Sequence, residues 1–344
     1  MKIVITGGAG FLGVRLARTL LERGSLRFAG GPERAIGQLV LVDRVAPPAD
    51  LVNLAKPAEA PQVSVVTGDL VELLEKDPAA VVPEGTDAVI HLASAVSGEC
   101  EADFDLGLRS NLRAGMLLLD RCRALGTSPT VVFSSSLAVY GSTPEQPLPE
   151  VVTDETLPTP QNSYGTQKFV LEQLVADYGR KGFIRARNLR LMTVSVRPGR
   201  PNAAASSFLS GMLREPLAGE RSTCPVPPDT PVALSSPART VEGLVRALEA
   251  GDAEWGPRTA LNLPALTTTP AQMAAALEAV AGREAVQRID WQVDPAIARI
   301  ITSWPARMHS RRAAALGLQA DASFEDIVRD YVRENPGAVK AAAR

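Results

Sequence analysis

The sequence predicts an α/β fold in which helices cover both faces of a doubly wound parallel sheet. Strand and helix signals alternate through the N-terminal half of the chain, as they do in parallel sheets of this kind. From about residue 198, proline-rich connections instead separate short helices at residues 239–250, 270–281 and 324–335. We therefore expect one domain over residues 1–197 and a smaller, mostly helical lobe over residues 198–344, with segments near 235–265 returning to the sheet.

The predicted strands are short apolar runs, rich in β-branched residues, that end near small or polar residues. They lie at residues 2–6, 39–42, 63–67, 88–92 and 130–133. Runs of this length indicate strands that are buried on both faces. Helical periodicity follows at residues 11–23 and 103–125, and a third helix, residues 162–179, begins with an asparagine or serine that can cap it.

A glycine-rich motif lies directly after the first predicted strand and opens the first helix. Gly7 permits a tight turn, Gly10 lets the backbone approach a pyrophosphate, and Gly13 allows close packing of helix on sheet. Phe11 and Leu12 form the first turn of the helix, whose free amides suit an anion. The motif predicts a Rossmann-type site for a dinucleotide. A purely structural glycine turn is the less favoured alternative.

Asp43 ends the second predicted strand and bears on the choice of cofactor. A carboxylate there accepts hydrogen bonds from the adenosine ribose hydroxyls and repels a 2′-phosphate, which favours NAD over NADP. The distance from Gly13 to Asp43 exceeds the usual spacing because residues 25–37 read as an inserted loop. Arg44 beside it is suited to a phosphate, so NADP stays the alternative.

Further cofactor contacts are expected where the third and fourth strands end. Asp69 and Leu70 follow the third strand and border the adenine, although an aspartate there is equally an ordinary helix cap. Leu92, Ala93 and Ser94 follow the fourth strand, where small residues let a cofactor run past the backbone.

Two polar residues near these strand ends have competing interpretations. His91 is expected to be a buried histidine with its hydrogen bonds satisfied. Asn111, within the long helix at residues 103–125, is suited to bond a water or a main-chain carbonyl beside the site, with a surface position as the alternative. We count Asn111 among the cofactor contacts.

A tyrosine and a lysine at positions i and i+4 supply the acid/base chemistry. Tyr164 and Lys168 lie on one face of the helix at residues 162–179, so the ammonium stabilises a deprotonated phenol. Ser136, at the end of the fifth strand, is placed to hydrogen-bond a substrate oxygen and stabilise developing alkoxide charge. Ser134 is better explained as a strand cap. Tyr140 either packs in the core or lines the substrate cleft.

Composition argues against several other classes of function. The 36 Lys and Arg residues nearly balance the 38 Asp and Glu residues, and no basic run is interleaved with aromatics, so we expect no nucleic-acid partner. No apolar stretch approaches the roughly 20 residues that span a bilayer. The first five residues read as a strand, not a signal peptide, and we expect a cytoplasmic protein without membrane association.

The cysteines and histidines are too few and too scattered for a metal centre. Cys100, Cys122 and Cys224 are widely spaced, which indicates reduced core thiols instead of disulfides. With only His91 and His309, a histidine-based zinc site or a Ser-His-Asp triad is poorly supplied. We expect no metal.

Taken together, these motifs resemble an extended short-chain dehydrogenase/reductase over essentially the whole chain. The resemblance implies NAD(P) in a Rossmann domain and a catalytic set that maps onto Ser136, Tyr164 and Lys168. In that set the tyrosine exchanges the hydroxyl proton, the lysine binds the nicotinamide ribose and lowers the tyrosine pKa, and the serine positions the substrate. We also expect Met192 and Thr193, after the sixth strand, to contact the cofactor.

The resemblance further implies a homodimer. In this family the helices corresponding to residues 103–125 and 162–179 often form the dimer face. The residues on the outer faces of these two helices do not show from sequence alone whether the chain forms a dimer.

After the sixth strand the chain departs from the family's nucleotide-sugar epimerases and dehydratases, which carry an Asn-rich loop leading to Gly-Pro. Here Arg197, Arg200, Asn202 and Ser206 are suited to a small hydroxylated carboxylate, because guanidinium groups bind carboxylates bidentately. The run at residues 195–208 resembles dehydrogenases that use NAD to oxidise the C2 hydroxyl of a four-carbon sugar acid. Arg197 as a structural residue is the alternative.

Three other functions stay open at this point. A nucleotide-sugar epimerase or dehydratase would hold its NAD tightly and need a large nucleotide pocket. A dehydrogenase of another small hydroxy acid would use the same apparatus. A non-catalytic NAD-sensing regulator is disfavoured, because it has no need of Ser136, Tyr164 and Lys168.

Overall fold

The computed structural model describes residues 1–54 and 61–340, which form two compact units. Unit 1 contains Met1–Ser136, Ser163–Arg190 and Val241–Leu261. Unit 2 contains Leu137–Asn162, Leu191–Thr240 and the described chain from Asn262 onward. Each unit thus takes segments from both sides of residue 197, the boundary expected from sequence. The division of cofactor and substrate binding between residues 1–197 and 198–344 stays a prediction.

The strands of the structure begin close to the predicted positions. In chain order they are β1 Lys2–Thr6, β2 Ser25–Arg27, β3 Glu33–Ala35, β4 Gln38–Asp43, β5 Gln62–Thr67, β6 Ala88–His91, β7 Thr130–Ser136, β8 Arg185–Leu191, β9 Thr193–Val194, β10 Ser222–Cys224, β11 Val232–Ser235, β12 Leu261–Asn262, β13 Leu266–Thr268 and β14 Ile289–Trp291. All five strands predicted from the apolar runs are confirmed.

The helices complete the alternation. They are α1 Phe11–Arg23, α2 Ala49–Leu54, α3 Leu70–Lys76, α4 Pro78–Val81, α5 Ser97–Ala102, α6 Phe104–Gly107, α7 Ala114–Ala124, α8 Ser163–Arg180, α9 Phe208–Leu217, α10 Pro237–Glu249, α11 Asp252–Trp255, α12 Pro270–Ala281, α13 Arg283–Val286, α14 Pro295–Ser303, α15 Arg311–Ala315 and α16 Phe324–Glu334. A π-helical turn, Leu108–Arg113, joins α6 to α7, so the helix predicted over residues 103–125 is not uniform.

A seven-stranded sheet with the order β12-β8-β7-β6-β1-β4-β5 confirms the predicted fold class. Strand β1 pairs in parallel with both β4 and β6, with Ile3 opposite Leu39 on one side and Ala88 on the other. These three side chains are fully buried, because helices cover both faces of such a sheet. The order reverses between β1 and β6, which places the carboxyl ends of these two strands where doubly wound sheets bind ligands.

The inserted segment at residues 25–37 is a β-hairpin and not the loop that its sequence predicts. Strands β2 and β3 pair antiparallel, and the amides of Ala29 and Gly30 donate to the carbonyls of Leu248 and Glu249 at the end of α10. These contacts satisfy carbonyls that a helix end otherwise leaves unpaired. Gly30 has a φ of 74° and leaves only 2.6 Å between an added Cβ and Cα of Gly251.

Unit 2 has its own core around α9, α12 and α16. Leu213, Leu234, Leu277 and Val328 are fully buried in one apolar cluster. Strand β11 joins β13 and β9 in a small sheet, and β10 pairs with β14. In the described parts of the chain, no helix is long and apolar enough to cross a bilayer. The three cysteines are buried and form no disulfide, as expected from their spacing.

A buried ion pair fixes the middle of α8 to strand β8. Arg190 donates through Nε and Nη2 to the two carboxylate oxygens of Glu172 at 2.9 and 2.7 Å, and both side chains are buried. The side-chain Nδ2 of Asn188 also donates to the main-chain carbonyl of Glu172. Two hydrogen-bonded charges in the interior compensate each other, whereas one alone is strongly unfavourable.

Removing either charge should therefore destabilise unit 1. We expect Glu172→Leu or Arg190→Met to lower the free energy of unfolding by about 3–5 kcal/mol, since each leaves the other charge buried alone. The double variant should lose less than the sum of the two. Urea unfolding of the three variants checks this. Losses below about 1 kcal/mol in both single variants would contradict the role given to the pair.

Candidate active site

The glycine loop lies over the carboxyl end of β4. The amides of Gly7 and Gly8 donate to the carbonyl of Val42 at 2.8 and 3.1 Å, and the amide of Ala9 donates to Oδ2 of Asp43 at 2.9 Å. Hydrogen bonds thus bring the predicted phosphate-binding loop and the predicted ribose-binding carboxylate together.

The local geometry of this loop fits a dinucleotide. An added Cβ would lie 2.7 Å from the Ala93 amide at Gly7 and 2.1 Å from the Gly7 carbonyl at Gly13, so neither position accepts a side chain. Gly10 is the N-cap of α1, and no side chain among the described residues caps this helix. The first amides of a 13-residue helix are therefore available to an anion. These features suit the pyrophosphate of NAD.

Asp69 is engaged in two sets of hydrogen bonds within the protein. It caps α3 by accepting from the amides of Val71 and Glu72, and Arg109 binds both of its oxygens at 2.8 and 2.9 Å. The hydrogen bonds from Arg109 are the largest cause that lowers the pKa of Asp69 to about 2. Arg44 also approaches Asp69, at 3.3 Å. The helix-cap alternative is thus observed, and contact of Asp69 and Leu70 with the cofactor stays a prediction.

Asn111 connects the end of β6 to the catalytic helix. Its Oδ1 accepts from Ser94 Oγ at 2.9 Å and from the Ala95 amide at 2.8 Å, while its Nδ2 donates to Gln167 Oε1 at 2.7 Å. The amide orientation follows from the Ala95 N–H, which can only donate. Asn111 is buried, so the surface alternative is wrong. It lies in the π-helical turn, a feature that is frequent at functional sites.

His91 is a core residue, as expected. Its Nδ1 lies 2.7 Å from Thr6 Oγ1, and its ring stacks on Phe133 with centroids 5.9 Å apart. Burial lowers the pKa of His91 to about 3, with the charge of Lys168 as a second cause. The folded protein therefore holds a neutral imidazole, and acid below pH 6.5 favours the unfolded chain, which binds the extra proton.

Tyr164 and Lys168 lie together on α8, one turn apart. Lys168 Nζ is buried, donates to the Ser134 carbonyl at 2.8 Å, and lies 5.5 Å from the Tyr164 ring centroid. Burial is the main cause that lowers the pKa of Lys168 to about 7, against an opposing influence of Glu172. Tyr164 is half-buried, and Ser136 is the last residue of β7. Unit 1 therefore contains all three predicted catalytic residues.

Tyr140 is fully buried, and its hydroxyl donates to Asn262 Oδ1 at 3.1 Å. A side chain with no exposed surface does not line a cleft, so this geometry fits the packing alternative. We therefore withdraw Tyr140 from the candidate substrate contacts.

Met192 is also buried, beside Leu137 and Ala233. Thr193 pairs with Leu234 of β11. Cofactor contact by Met192 and Thr193 stays a prediction.

The candidate substrate residues of unit 2 form one loop before α9. Arg197 Nη2 donates to Asn202 Oδ1 at 3.2 Å, and the Asn202 amide donates to Ser207 Oγ at 3.1 Å. Arg197 and Ser206 are half-buried, whereas Arg200 and Asn202 are exposed. The structure thus brings Arg197 and Asn202 together and leaves the Arg200 side chain in contact with solvent.

Three polar residues of the two units were missed by sequence reasoning. Arg109 binds Asp69, Gln167 binds Asn111, and Arg214 binds the main chain of Arg197. Gln167 lies between Tyr164 and Lys168 in the Tyr-x-x-x-Lys motif, which was the one signal that pointed to it. Arg109 lies in the π-helical turn and Arg214 in the largely buried helix α9, and neither carries a sequence signal of its own.

The fold and the residues of unit 1 define a class of protein. A parallel sheet with a glycine loop at its carboxyl edge, together with a Tyr-x-x-x-Lys helix after the Ser136 strand, is typical of an extended short-chain dehydrogenase/reductase. Residues 3–232 match the NAD dependent epimerase/dehydratase family. The chain belongs to that family and is an NAD-dependent oxidoreductase.

Similar proteins cover the chain almost completely. A D-erythronate dehydrogenase of Cupriavidus necator is 48% identical over 99% of this chain and 100% of its own length. A D-erythronate dehydrogenase of Haemophilus influenzae is 39% identical over 96% of this chain and 99% of its own. The crystal structure of a nucleoside-diphosphate-sugar epimerase from Agrobacterium tumefaciens is 36% identical, with a TM-score of 0.85 over 98% of this chain and 95% of that one.

Proposed function

We propose that this protein oxidises the C2 hydroxyl of D-erythronate to 2-dehydro-D-erythronate with NAD, in tetronate catabolism. The observation that carries the proposal is the full-length similarity to two D-erythronate dehydrogenases, at 48% and 39% identity. Ser136, Tyr164 and Lys168, which such an oxidation needs, are all present in unit 1. The similarity to an epimerase structure has lower sequence identity, at 36%.

The chemical step follows from the residues of unit 1. Tyr164 removes the proton of the C2 hydroxyl, and Ser136 donates a hydrogen bond to the same oxygen. Lys168 supplies a positive charge one helical turn away, which favours the phenolate over the phenol. Bound NAD supplies the acceptor for the C2 hydride.

We assign the charged and polar residues of the unit 2 loop to the substrate. Arg197 and Arg200 would bind the carboxylate, because a guanidinium presents paired donors to its two oxygens. Asn202 and Ser206 would bond the remaining hydroxyls. For NAD we propose the residues at the strand ends and on the facing helices, namely Gly7, Gly10, Phe11, Leu12, Gly13, Asp43, Asp69, Leu70, Leu92, Ala93, Ser94, Asn111, Tyr164, Lys168, Met192 and Thr193.

NADH formation with a panel of sugar acids tests the proposed substrate. Purified protein is mixed with NAD and D-erythronate, L-threonate or D-threonate, and absorbance is followed. We expect rapid turnover that is selective for D-erythronate. If no acid on the panel is oxidised and denaturation of the purified protein releases one NAD per chain, an epimerase that holds its cofactor permanently would instead be favoured. Turnover of a different hydroxy acid would change the assigned substrate and leave the proposed reaction and cofactor as they are.

Removing the charge of Asp43 should weaken the preference for NAD. In Asp43→Asn the remaining carbonyl oxygen can still accept from the Ala9 amide of the loop, whereas the hydrogen bond from the Arg44 amide to the second carboxylate oxygen is lost. The repulsion of a 2′-phosphate is lost, and we expect the ratio of kcat/KM for NAD to that for NADP to fall about 10- to 100-fold. Steady-state kinetics with both cofactors measures the ratio. An unchanged ratio would remove Asp43 from cofactor selection.

We further propose a homodimer, formed by the outer face of α6, α7 and α8. Phe104, Met116 and Val170 on these helices are 60%, 50% and 40% exposed. Gly115 allows α7 to approach α8 closely, since an added Cβ would lie 2.4 Å from Leu171 Cδ2. Sedimentation should give a dimer for the native chain and a monomer for Met116→Glu with Val170→Glu. A monomeric native chain would overturn the proposal. The cytoplasmic location stays a prediction.

A further inference from the structure

We infer that Arg214, a buried residue of α9, is a positioning residue that sets the substrate-binding arginine Arg197 and thereby the selectivity for a carboxylate. This inference rests on the proposed function, which gives Arg197 its role. Arg214 itself is only 7% exposed and lies within the interior of unit 2.

Two side chains of α9 hold the main chain of Arg197. Its amide donates to Ser210 Oγ at 3.0 Å, and its carbonyl accepts from Arg214 Nη1 at 2.9 Å. Positions 210 and 214 are one helical turn apart and therefore lie on the same face of α9. Both polar atoms of one residue are thus bound by one rigid helix, while the half-buried side chain of Arg197 extends from this anchor to Asn202.

The chemistry of Arg214 argues against simple core filling. A buried guanidinium is unfavourable unless its charge is compensated, and an apolar residue of similar volume often stabilises a core more. Its other terminal nitrogen donates to Glu215 Oε1 at 2.5 Å, which supplies that compensation. The charge-assisted bond to the Arg197 carbonyl is stronger than a neutral one and has a defined direction. We therefore assign Arg214 to the orientation of Arg197.

The first expected result is a change confined to the carboxylate substrate. In Arg214→Met with Glu215→Gln, which leaves no unpaired carboxylate, KM for D-erythronate should rise about 10- to 100-fold, the equivalent of one lost charged hydrogen bond. The KM for NAD should stay within about twofold. Arg214→Lys keeps a cationic donor but not the fork that reaches both the Arg197 carbonyl and Glu215, so its KM for D-erythronate should lie between the native value and that of the double variant.

A matched control separates the bond to Arg197 from the ion pair. Glu215→Gln alone removes the compensating charge and should lower stability, but its amide oxygen can still accept from Arg214 and the Arg214 to Arg197 bond stays in place, so KM for D-erythronate should stay within about threefold of native. Equal losses in Glu215→Gln and in the double variant would overturn the inference, because the ion pair would then be responsible. A parallel rise in the KM for NAD would also overturn it, since it would indicate general damage.

Hydrogen exchange tests the same anchor without any substrate. The main-chain amide of Arg197 is bound by Ser210. It should exchange at least about tenfold faster in the double variant, Arg214→Met with Glu215→Gln, than in the single variant Glu215→Gln. Unchanged exchange there would overturn the inference even if the KM rises. If instead the native enzyme oxidises no sugar acid while this exchange difference is present, the proposed function fails and the anchoring role of Arg214 is kept.

Discussion

Replacing Tyr164 with phenylalanine should lower kcat by about 1,000-fold or more and leave NAD affinity within about twofold of native. The phenol is the only group that we assign to the C2 hydroxyl proton, and acid/base residues of this kind contribute about 100- to 10,000-fold. Phenylalanine preserves the ring beside Lys168 Nζ, 5.5 Å from the centroid, so the cofactor side of the site keeps its shape. Single-turnover kinetics and an NAD titration measure the two quantities.

Tyr178→Phe is the matched control for this variant. Tyr178 lies on the same helix, and its hydroxyl donates to Asp120 Oδ1 at 2.6 Å. Burial and this hydrogen bond raise the pKa of Tyr178 to about 12, so it has no place in proton transfer near neutral pH. We expect native turnover with a stability loss of about 1 kcal/mol. Native turnover in Tyr164→Phe as well would remove Tyr164 from the mechanism.

Replacing Lys168 with methionine should abolish measurable turnover, weaken NAD binding and yet stabilise the folded protein. The ammonium is buried, and methionine has a similar length without a charge. Burial holds the pKa of Lys168 at about 7, far below its ordinary value of 10.5. The free energy of unfolding at pH 7 should therefore rise by about 1–3 kcal/mol, after the lost hydrogen bond to the Ser134 carbonyl is deducted.

The pH dependence of this stability gain has a defined sign. Between pH 7 and 10.5 the unfolded chain keeps a proton on Lys168 that the folded chain releases, so native stability rises with pH in that window. The increase in the free energy of unfolding that Lys168→Met gives over the native protein should be largest at pH 7 and below and should shrink toward pH 10. Urea unfolding at pH 7 and 9.5 checks this. The exposed Lys181→Met variant should show neither effect, and a destabilised Lys168→Met protein would contradict the assignment.

Features that depend on local sequence could be predicted. Each of these signals involves residues that are close together in the sequence. They are the glycine spacing from Gly7 to Gly13, the short apolar runs and the interval from Tyr164 to Lys168. The bounds of α1 and α12 agree with the predicted residues 11–23 and 270–281, because glycine or a threonine-proline pair marks their ends. These local signals were sufficient to predict the fold class, and they place Ser136, Tyr164 and Lys168 in unit 1, where their catalytic roles stay a prediction.

Features that depend on distant partners could not be predicted. Asp69 is bound by Arg109, which lies 40 residues away, and Tyr140 is bonded to Asn262, which lies 122 residues away. The periodicity of apolar residues carries no information on which distant residues form such pairs. The polar, glycine-rich segment at residues 25–37 forms a hairpin because its tip binds the end of α10, more than 200 residues later. Local propensity indicated only a loop there.

Transfer of deuterium from D-erythronate labelled at C2 tests the central claim most directly. The labelled acid is mixed with NAD and the native protein, and the NADH is isolated and analysed by mass spectrometry and proton NMR. Oxidation at C2 predicts one deuterium at C4 of the nicotinamide in every NADH and a 2-oxo acid product free of label. Unlabelled NADH, with deuterium kept in the acid, would place the oxidation at another carbon and contradict the account.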